Sequence, residues 1–261
     1  MDSLDLARGI YAPGRAVSGL TIRVANKPDV LWRIFKVFSD FNIGVLEAAI
    51  PTFTSGASEI TLFFIIDFTS SNVSLENIIS ELRRIDSVLD INVLVGGLEG
   101  WVFNTVHFPL TVHDVRCIIL AEPALKGMIE TLRREMGLGG AAILFHIGSF
   151  IGVEVAGYCI KKYDVKDLMK ALALMRYLIA AWGWGIIVDA RFNIEKIKIE
   201  LNIRGLWECS VYSGLDSSQS HFFRGFLAGY FSTILNKSIS VFEVKCIAKG
   251  DVHCEFVIEE K

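Results

Sequence analysis

The sequence predicts an α+β protein with two domains, and three observations support that prediction. The chain has 261 residues, enough for two hydrophobic cores of ordinary size. Short alternating runs and short amphipathic helices fill residues 18–98, whereas long helices followed by a series of strands fill residues 99–261. Gly96 and Gly97 lie where the pattern changes. We therefore expect an N-terminal tail over residues 1–17 and a domain boundary beside these glycines.

The first domain shows the order strand, helix, strand, strand, helix, strand. Apolar side chains repeat at helical spacing after Pro28 and again after Ser74, a residue type that favours the N-cap. A hairpin turn is expected at Thr54-Ser55-Gly56. This order is typical of a ferredoxin-like sandwich, with two helices on one face of an antiparallel sheet. The predicted elements are strand 20–25, helix 28–38, strand 43–53, strand 58–68, helix 74–82 and strand 88–95.

The second domain opens with extended segments and continues with long helices and strands. Gly139-Gly140 is expected to break the chain between the first two helices, and Asp164 to cap the third. Apolar and polar residues alternate from Ile197 to Ile203, which predicts a half-buried strand. The domain should pack its helices on an antiparallel sheet. The predicted helices are 122–136, 141–163, 165–181 and 221–235, and the predicted extended segments are 101–108, 116–120, 185–191, 192–203, 207–212, 238–246 and 254–258.

Hydrophobic residues make up 52% of the chain, which raises the question of a membrane span. The longest uncharged stretch, residues 137–153, is at the lower limit for crossing a bilayer and contains His146. We interpret it as a buried helix. Residues 1–18 lack the apolar segment of a signal peptide, so we expect a cytoplasmic protein. The excess of apolar residues predicts a ligand cavity, a subunit interface or both, and a homodimer is the simplest arrangement.

Charge and cysteine usage narrow the possible functions. The chain has 26 basic and 29 acidic residues with no basic run, so direct nucleic-acid binding is not expected. Five cysteines are an odd number spread along the chain, which favours reduced thiols or metal ligands over a disulfide framework. Gln219 is the single glutamine beside many Ile, Lys and Glu residues, a bias reported for proteins of thermophiles.

The run Val24-Ala25-Asn26-Lys27-Pro28-Asp29-Val30-Leu31, followed by Phe41-Asn42-Ile43, resembles the start of an ACT domain. The resemblance implies dimerisation or an amino-acid ligand at the first loop, where free N–H groups and the helix dipole attract a carboxylate. Asp29 stands where the family usually has glycine and would repel that carboxylate, so the alternative is a domain that only dimerises. The implied ligand residues are Asn26, Lys27, Pro28, Asp29, Val30, Leu31 and Asn42.

Three later segments, Ser220–Tyr230, Phe242–Cys246 and Gly250–Phe256, resemble the vinyl-4-reductase domain. They carry its Gly-Phe-Leu-x-Gly helix, its Glu-x-x-Cys strand and its Gly-Asp-x-x-Cys-x-Phe hairpin, in that order. The family includes the sensor modules of phenol-responsive transcription activators, TRAPP vesicle-tethering subunits and stand-alone archaeal proteins. The resemblance implies a buried small-molecule pocket, usually in a dimer.

The same resemblance implies a structural zinc site. The phenol sensors hold zinc with one Glu and three Cys, and three of those positions match Glu243, Cys246 and Cys254. Thiolates and a carboxylate suit tetrahedral zinc. Ser220 replaces the fourth cysteine, which leaves His221, His253 or Cys209 as the missing ligand, and we predict His221. The alternative is that the cysteines are reduced core residues that face each other across a hairpin.

The family places its pocket between the long helices and the sheet. His146 is the polar residue of an otherwise apolar helix and could hydrogen-bond a ligand hydroxyl or carboxylate. The alternative is that these residues are ordinary core. The predicted lining residues are Phe145, His146, Phe150, Trp182, Trp184, Trp207, Phe222, Phe223 and Phe226.

The sequence thus predicts a non-enzymatic sensor that binds a small hydrophobic or aromatic ligand and signals through a protein partner. One alternative is an enzyme acting on a tetrapyrrole or another aromatic compound, but a Gly-x-Gly-x-x-Gly fingerprint and a clustered acid pair are missing from the sequence. The other alternative is a structural adaptor like the tethering subunits, with a closed or permanently filled cavity.

Overall fold

The computed structural model describes residues 4–6, 8–51, 56–94, 99–112, 114–193 and 197–261. The chain separates into two compact units, Met1–Ile118 and Ile119–Lys261. The predicted boundary between residues 98 and 99 falls inside the first unit, because strand Trp101–Phe103 pairs with strand Gly9–Tyr11 near the start of the chain.

The first unit contains the predicted βαββαβ order within a four-stranded antiparallel sheet. Its strands follow the order β3-β4-β2-β5, as in a ferredoxin-like sandwich, which supports the α+β prediction. Thr54 and Ser55 of the predicted hairpin turn lie outside the described residues. The elements are β1 Gly9–Tyr11, β2 Val17–Ala25, α1 Val30–Asp40, β3 Gly44–Ala49, β4 Glu59–Asp67, α2 Leu75–Arg83, β5 Val88–Leu94, β6 Trp101–Phe103, β7 Thr111–Val112 and β8 Val115–Arg116.

Both faces of this sheet carry apolar side chains. Ile34 of α1 and Ile78 of α2 are buried in the larger core on one face. Phe63 and Ile65 of β4 form a smaller buried cluster with Val102 of β6. Burial on both faces explains why β4 is apolar without alternation.

The second unit packs long helices on another four-stranded antiparallel sheet, with the strand order β11-β12-β10-β9. This is the predicted architecture. The elements are α3 Glu122–Met136, α4 Leu138–Tyr163, α5 Leu168–Ala181, β9 Ile186–Asn193, β10 Lys198–Arg204, α6 Trp207–Ser210, α7 His221–Leu235, β11 Ile239–Lys245 and β12 Cys254–Glu260, with a 3-10 turn at Ile247–Lys249.

Two helix boundaries differ from the prediction. The break between α3 and α4 lies at Gly137, where φ is +53°, and the helix continues through Gly139 and Gly140. Asp164 is left-handed and ends α4, whereas Asp167 caps α5 by accepting a hydrogen bond from a backbone N–H. The left-handed conformation, which Asp tolerates, turns the chain before the next helix can begin.

Residues 207–212 also differ from the prediction of a strand. Trp207–Ser210 forms one helical turn, α6, and the segment that follows it to Ser220 has no regular helix or strand. The apolar residues of this short segment fit either structure equally well, so their spacing could not distinguish a strand from a helical turn.

Helix α4 is, among the described residues, the one helix long and apolar enough to cross a membrane. Its most apolar window has a mean hydropathy of 1.7, but 28% of that window is buried inside the protein. Core helices of soluble proteins pass the same length and composition test, so this is weak evidence for a span. The segment predicted as a buried helix is therefore a helix with one buried face.

Helices α4 and α7 cross in direct backbone contact because glycines line the crossing. A Cβ added at Gly148 would overlap the carbonyl oxygen of Phe222, and one at Gly225 would overlap that of Phe145. Gly152 and Gly229 make equally close approaches in the same crossing. Any larger side chain must push the helices apart.

We predict that Gly225→Ala lowers the free energy of unfolding by at least about 2 kcal/mol, since its methyl group has no space beside α4. Chemical denaturation followed by circular dichroism measures this change. Gly127→Ala in α3 is the matched control, because a Cβ there meets nothing within 4 Å. That variant should be stabilised by about 0.5–1 kcal/mol, and equal effects of the two substitutions would contradict the steric argument.

Candidate functional site

Three thiols and one carboxylate meet in the second unit. Cys209 comes from α6, Glu243 from β11, Cys246 from the residue after β11 and Cys254 from the start of β12. Their potential ligand atoms all lie within 4.8 Å of one another, and the three cysteines are buried. These residues could hold a metal ion.

The distances in this thiol cluster are close to those of a tetrahedral thiolate site. The sulfurs of Cys209 and Cys246 are 3.5 Å apart, whereas zinc–sulfur bonds of normal length place sulfurs about 3.8 Å apart. The Cys209 sulfur is 3.7 Å from Oε1 of Glu243, and the backbone N–H of Ser220 donates to Oε2 of that carboxylate at 3.2 Å. The donor set and its spacing fit a metal ion better than an ordinary apolar core.

The protonation of the cluster is uneven. The contact between the sulfurs of Cys209 and Cys246 lowers the pKa of Cys246 and raises the pKa of Cys209. Burial raises the pKa of Glu243 to about 7. A bound cation would stabilise negative charge on these sulfurs.

Cys209 takes the place that was predicted for His221. His221 is partly buried, its Nδ1 lies 3.0 Å from the guanidinium of Arg224, and burial lowers its pKa to about 4. It is absent from the cluster of possible ligands. His253 instead lies 3.7 Å from the carboxylate of Glu255. The sequence left Cys209 open as one of three alternatives, and its spacing could not show the helical turn that brings the Cys209 sulfur beside that of Cys246.

Glu208, which the sequence did not predict as a functional residue, is completely buried beside this cluster. Its two carboxylate oxygens accept hydrogen bonds from the backbone N–H groups of Phe222 and Phe223, each at 2.8 Å. Burial raises its pKa to about 8 against the effect of those bonds. The hydroxyl of Ser220 does not cap α7. The first N–H groups of a helix need an acceptor, so a search for a carboxylate that could cap α7 could have identified Glu208.

Most of the predicted pocket residues form one cluster of aromatic rings. The ring of Trp184 lies 5.1 Å from that of Phe226, 5.7 Å from Phe222 and 5.4 Å from Trp182, and Trp207 lies 5.6 Å from Phe222, measured between centroids. These rings contact one another where the sequence predicts the lining of a chamber. Phe145 and Phe223 pack in the same core.

His146 and Phe150 do not belong to this aromatic cluster. Both side chains are exposed, and Phe150 is 68% accessible. The buried face of α4 contains Leu144 and Gly148, and His146 lies two residues from each, about 200° around the helix. Their prediction as pocket residues was wrong, because apolar composition alone could not show which face of α4 is covered.

One polar atom within the aromatic cluster has no partner. The indole Nε1 of Trp207 is buried and has no hydrogen-bond acceptor among the described residues. The hydroxyl of Tyr212, five residues later, is in the same situation. An unpaired buried donor destabilises a folded protein by about 1–3 kcal/mol. A ligand that accepts a hydrogen bond from Nε1 of Trp207 would remove this destabilisation.

Described residues of the second unit line two surface clefts. One has a volume of about 320 Å³ and is lined by charged and polar residues of the sheet and His253. The other, of about 440 Å³, lies among Glu130, Arg133, Arg134, Tyr212 and Leu215. Neither cleft is the enclosed apolar chamber that the sequence predicts.

The predicted amino-acid residues lie in the loop between β2 and α1, at the start of α1 and in the turn after α1. Backbone N–H groups of Asn26, Lys27 and Val30 already donate to carbonyl oxygens. The Asp29 carboxylate pairs with Arg33 at 2.6 Å. Amino-acid binding at this loop stays a prediction. The remaining members of that set are exposed Pro28, half-buried Leu31 and Asn42, whose side-chain amide donates to the Ser70 carbonyl at 3.3 Å.

Comparisons with known proteins agree with the sequence resemblance in the second unit. Residues 199–260 match the family model of the vinyl-4-reductase domain. An uncharacterized protein of Methanocaldococcus jannaschii is 28% identical over 124 residues, which cover 47% of this chain and 66% of that protein. The match thus spans slightly less than two thirds of that relative.

Solved structures show the fold. The phenol-responsive sensory domain of the transcription activator PoxR, solved with phenol, is similar with a TM-score of 0.51 and 19% identity, over 57% of this chain and 79% of that domain. An ACT domain from the GTP pyrophosphokinase of Chlorobium tepidum aligns over 31% of this chain and 99% of that domain, with 17% identity and a TM-score of 0.26. That score is too low to support the ACT interpretation, which stays a prediction.

We predict that Glu208→Ala lowers the free energy of unfolding by about 2–3 kcal/mol, because two N–H groups of α7 lose their acceptor. Glu208→Gln keeps one carbonyl oxygen and should lose less. Thermal and chemical unfolding measure both changes. Glu135→Ala, on the surface of α3, is the control and should leave stability almost unchanged; a Glu208→Ala variant as stable as that control would contradict the capping role.

Proposed function

We propose that this protein is a non-enzymatic regulator that binds a small aromatic or otherwise hydrophobic molecule in its second unit. The unpaired, buried Nε1 of Trp207 within a cluster of aromatic rings carries this proposal. Rings supply apolar contact area, and one oriented donor selects a ligand with an acceptor such as a hydroxyl. The match to the vinyl-4-reductase domain and the fold shared with a phenol sensor support it.

Ligand entry requires the aromatic rings to separate, because they are in contact. Trp207 lies on α6, which has only four residues and is followed by irregular structure up to Ser220. Such a segment has few regular hydrogen bonds to break. We therefore propose that α6 and the segment after it move when the ligand binds.

We predict that Trp207→Phe weakens phenol binding about tenfold, because one hydrogen bond of about 1–1.5 kcal/mol is lost. Toluene has the same ring and no acceptor, so its affinity should change little. Isothermal titration calorimetry with both compounds measures this difference.

Trp32→Phe is the matched control for that experiment, because Trp32 is 65% exposed in the first unit. It should bind both compounds like the unmodified protein. If Trp207→Phe lowers the affinity for phenol and for toluene equally, Trp207 contributes packing and no hydrogen bond to the ligand. Failure of native mass spectrometry to detect any bound aromatic compound would reject the sensor proposal.

A structural adaptor is the second candidate function, and the contact between rings favours it. Rings that fill their own interior leave a domain that can act through its surface alone. The calorimetric experiment separates the two candidates, since an adaptor with a closed core binds neither phenol nor toluene.

We also propose that the thiol cluster binds a structural zinc ion through Cys209, Glu243, Cys246 and Cys254. Three thiolates and a carboxylate make a closed tetrahedral set, and such sites contribute directly to folding. Zinc would join α6 to the β11–β12 hairpin. The spacing of the donor atoms and the unusual proximity of three buried thiols support the proposal.

We predict about one zinc ion per chain in the purified protein, and its loss in Cys209→Ser, because only three ligands remain. Inductively coupled plasma mass spectrometry measures the metal content. His221→Ala should keep zinc, since His221 lies outside the cluster. Cys117→Ser, in the first unit, controls for the general effect of removing a thiol. Zinc loss from His221→Ala with retention in Cys209→Ser would restore the ligand set predicted from sequence.

A further inference from the structure

Helix α4 has a second apolar face that the other described residues of the second unit leave exposed. Its buried face packs against the rest of the unit through small residues such as Gly148 and Ala156. On the opposite side, Phe150 is 68%, Ile147 44% and Val153 39% exposed. The exposed stripe consists of Ala142, His146, Ile147, Phe150, Val153, Glu154 and Gly157.

The stripe is nearly symmetric about Phe150. Ile147 and Val153 lie three residues before and after it, and His146 and Glu154 lie four residues before and after it. Residues three and four apart share one side of a helix. A second α4 running in the opposite direction, level at Phe150, would therefore match apolar with apolar residues and an imidazole with a carboxylate.

We propose that α4 pairs antiparallel with α4 of a second copy of this chain, with the two-fold axis next to Phe150. Each His146 then lies level with the partner's Glu154, so two polar contacts flank a central aromatic contact. A two-fold interface requires such a self-complementary patch. Ala142 and Gly157, near the ends of the stripe, allow the helices to approach closely.

The composition of the stripe favours a protein partner over lipid. A carboxylate and an imidazole sit near the middle of the helix, where burial in hydrocarbon would be costly without a partner. In the antiparallel pair the same two groups face each other. The described stripe spans 16 residues, about 24 Å of helix at 1.5 Å per residue, long enough for continuous contact between two helices.

Charge reversal tests this pairing. His146→Glu places a carboxylate beside the partner's Glu154 and should weaken dimerisation at least tenfold. Adding Glu154→Lys to His146→Glu restores opposite charges and should recover most of the affinity. Phe150→Asp puts two carboxylates at the axis and should weaken dimerisation at least a hundredfold. Sedimentation equilibrium of the full chain measures each dissociation constant.

The control is Tyr177→Asp, which introduces the same charge at a 72% exposed position of α5. It should dimerise like the unmodified protein. All these positions are exposed, so circular dichroism should show intact folding. The proposal is overturned if the unmodified protein is still monomeric at about 100 µM, a concentration at which a specific dimer should form. It is also overturned if Phe150→Asp and Tyr177→Asp dimerise equally well.

Disulfide crosslinking keeps the test decisive if the first unit also dimerises. In a Cys117→Ser background, Phe150→Cys should form a covalent dimer on mild oxidation, because residues beside a two-fold axis come within disulfide distance. Tyr177→Cys in the same background should not. Absence of crosslinking at position 150, or flotation of the unmodified protein with vesicles of neutral phospholipid, rejects the helix pair.

Discussion

The close crossing of α4 and α7 is the constraint on which the second unit depends. Four glycines remove the side chains that would hold the helices apart, so backbone meets backbone at Gly148 and Gly225. This contact fixes the position of α7, whose first turn carries Phe222 and Phe223. The aromatic cluster and the capping carboxylate can form only where that first turn lies.

Three consecutive residues on α6 then connect this crossing to the rest of the site. Trp207 contacts the aromatic cluster, Glu208 accepts the N–H groups of α7, and Cys209 joins the thiol cluster. Neighbouring side chains in a helical turn point about 100° apart, so three consecutive side chains can enter three different environments. In an extended strand, Trp207 and Cys209 would instead face the same side.

The difference between a helical turn and a strand at Trp207 and Cys209 shows where the sequence could not predict the structure. The long segments with helical periodicity were correctly predicted as helices. The resemblance to the vinyl-4-reductase domain predicted Glu243, Cys246 and Cys254, three of the four residues of the thiol cluster. Cys209 was one of three alternatives for the fourth ligand, and it was not chosen because four residues are too short for a helical period to show. His146 and Phe150 were placed in the pocket because composition cannot reveal which apolar face of α4 is covered. The crossing with α7 covers the face that carries Gly148 and Gly152.

The adjacency of Trp207 and Cys209 has a consequence if both proposed sites are occupied. A metal at the thiol cluster would hold α6 in place, whereas entry of a ligand among the rings must move it. Metal binding and ligand binding both act on the four residues of α6. Each would therefore change the binding free energy of the other. Linkage is reciprocal, and a ligand that displaces Trp207 would loosen the metal as much as the metal opposes the ligand. The metal would then set how easily the aromatic cluster opens.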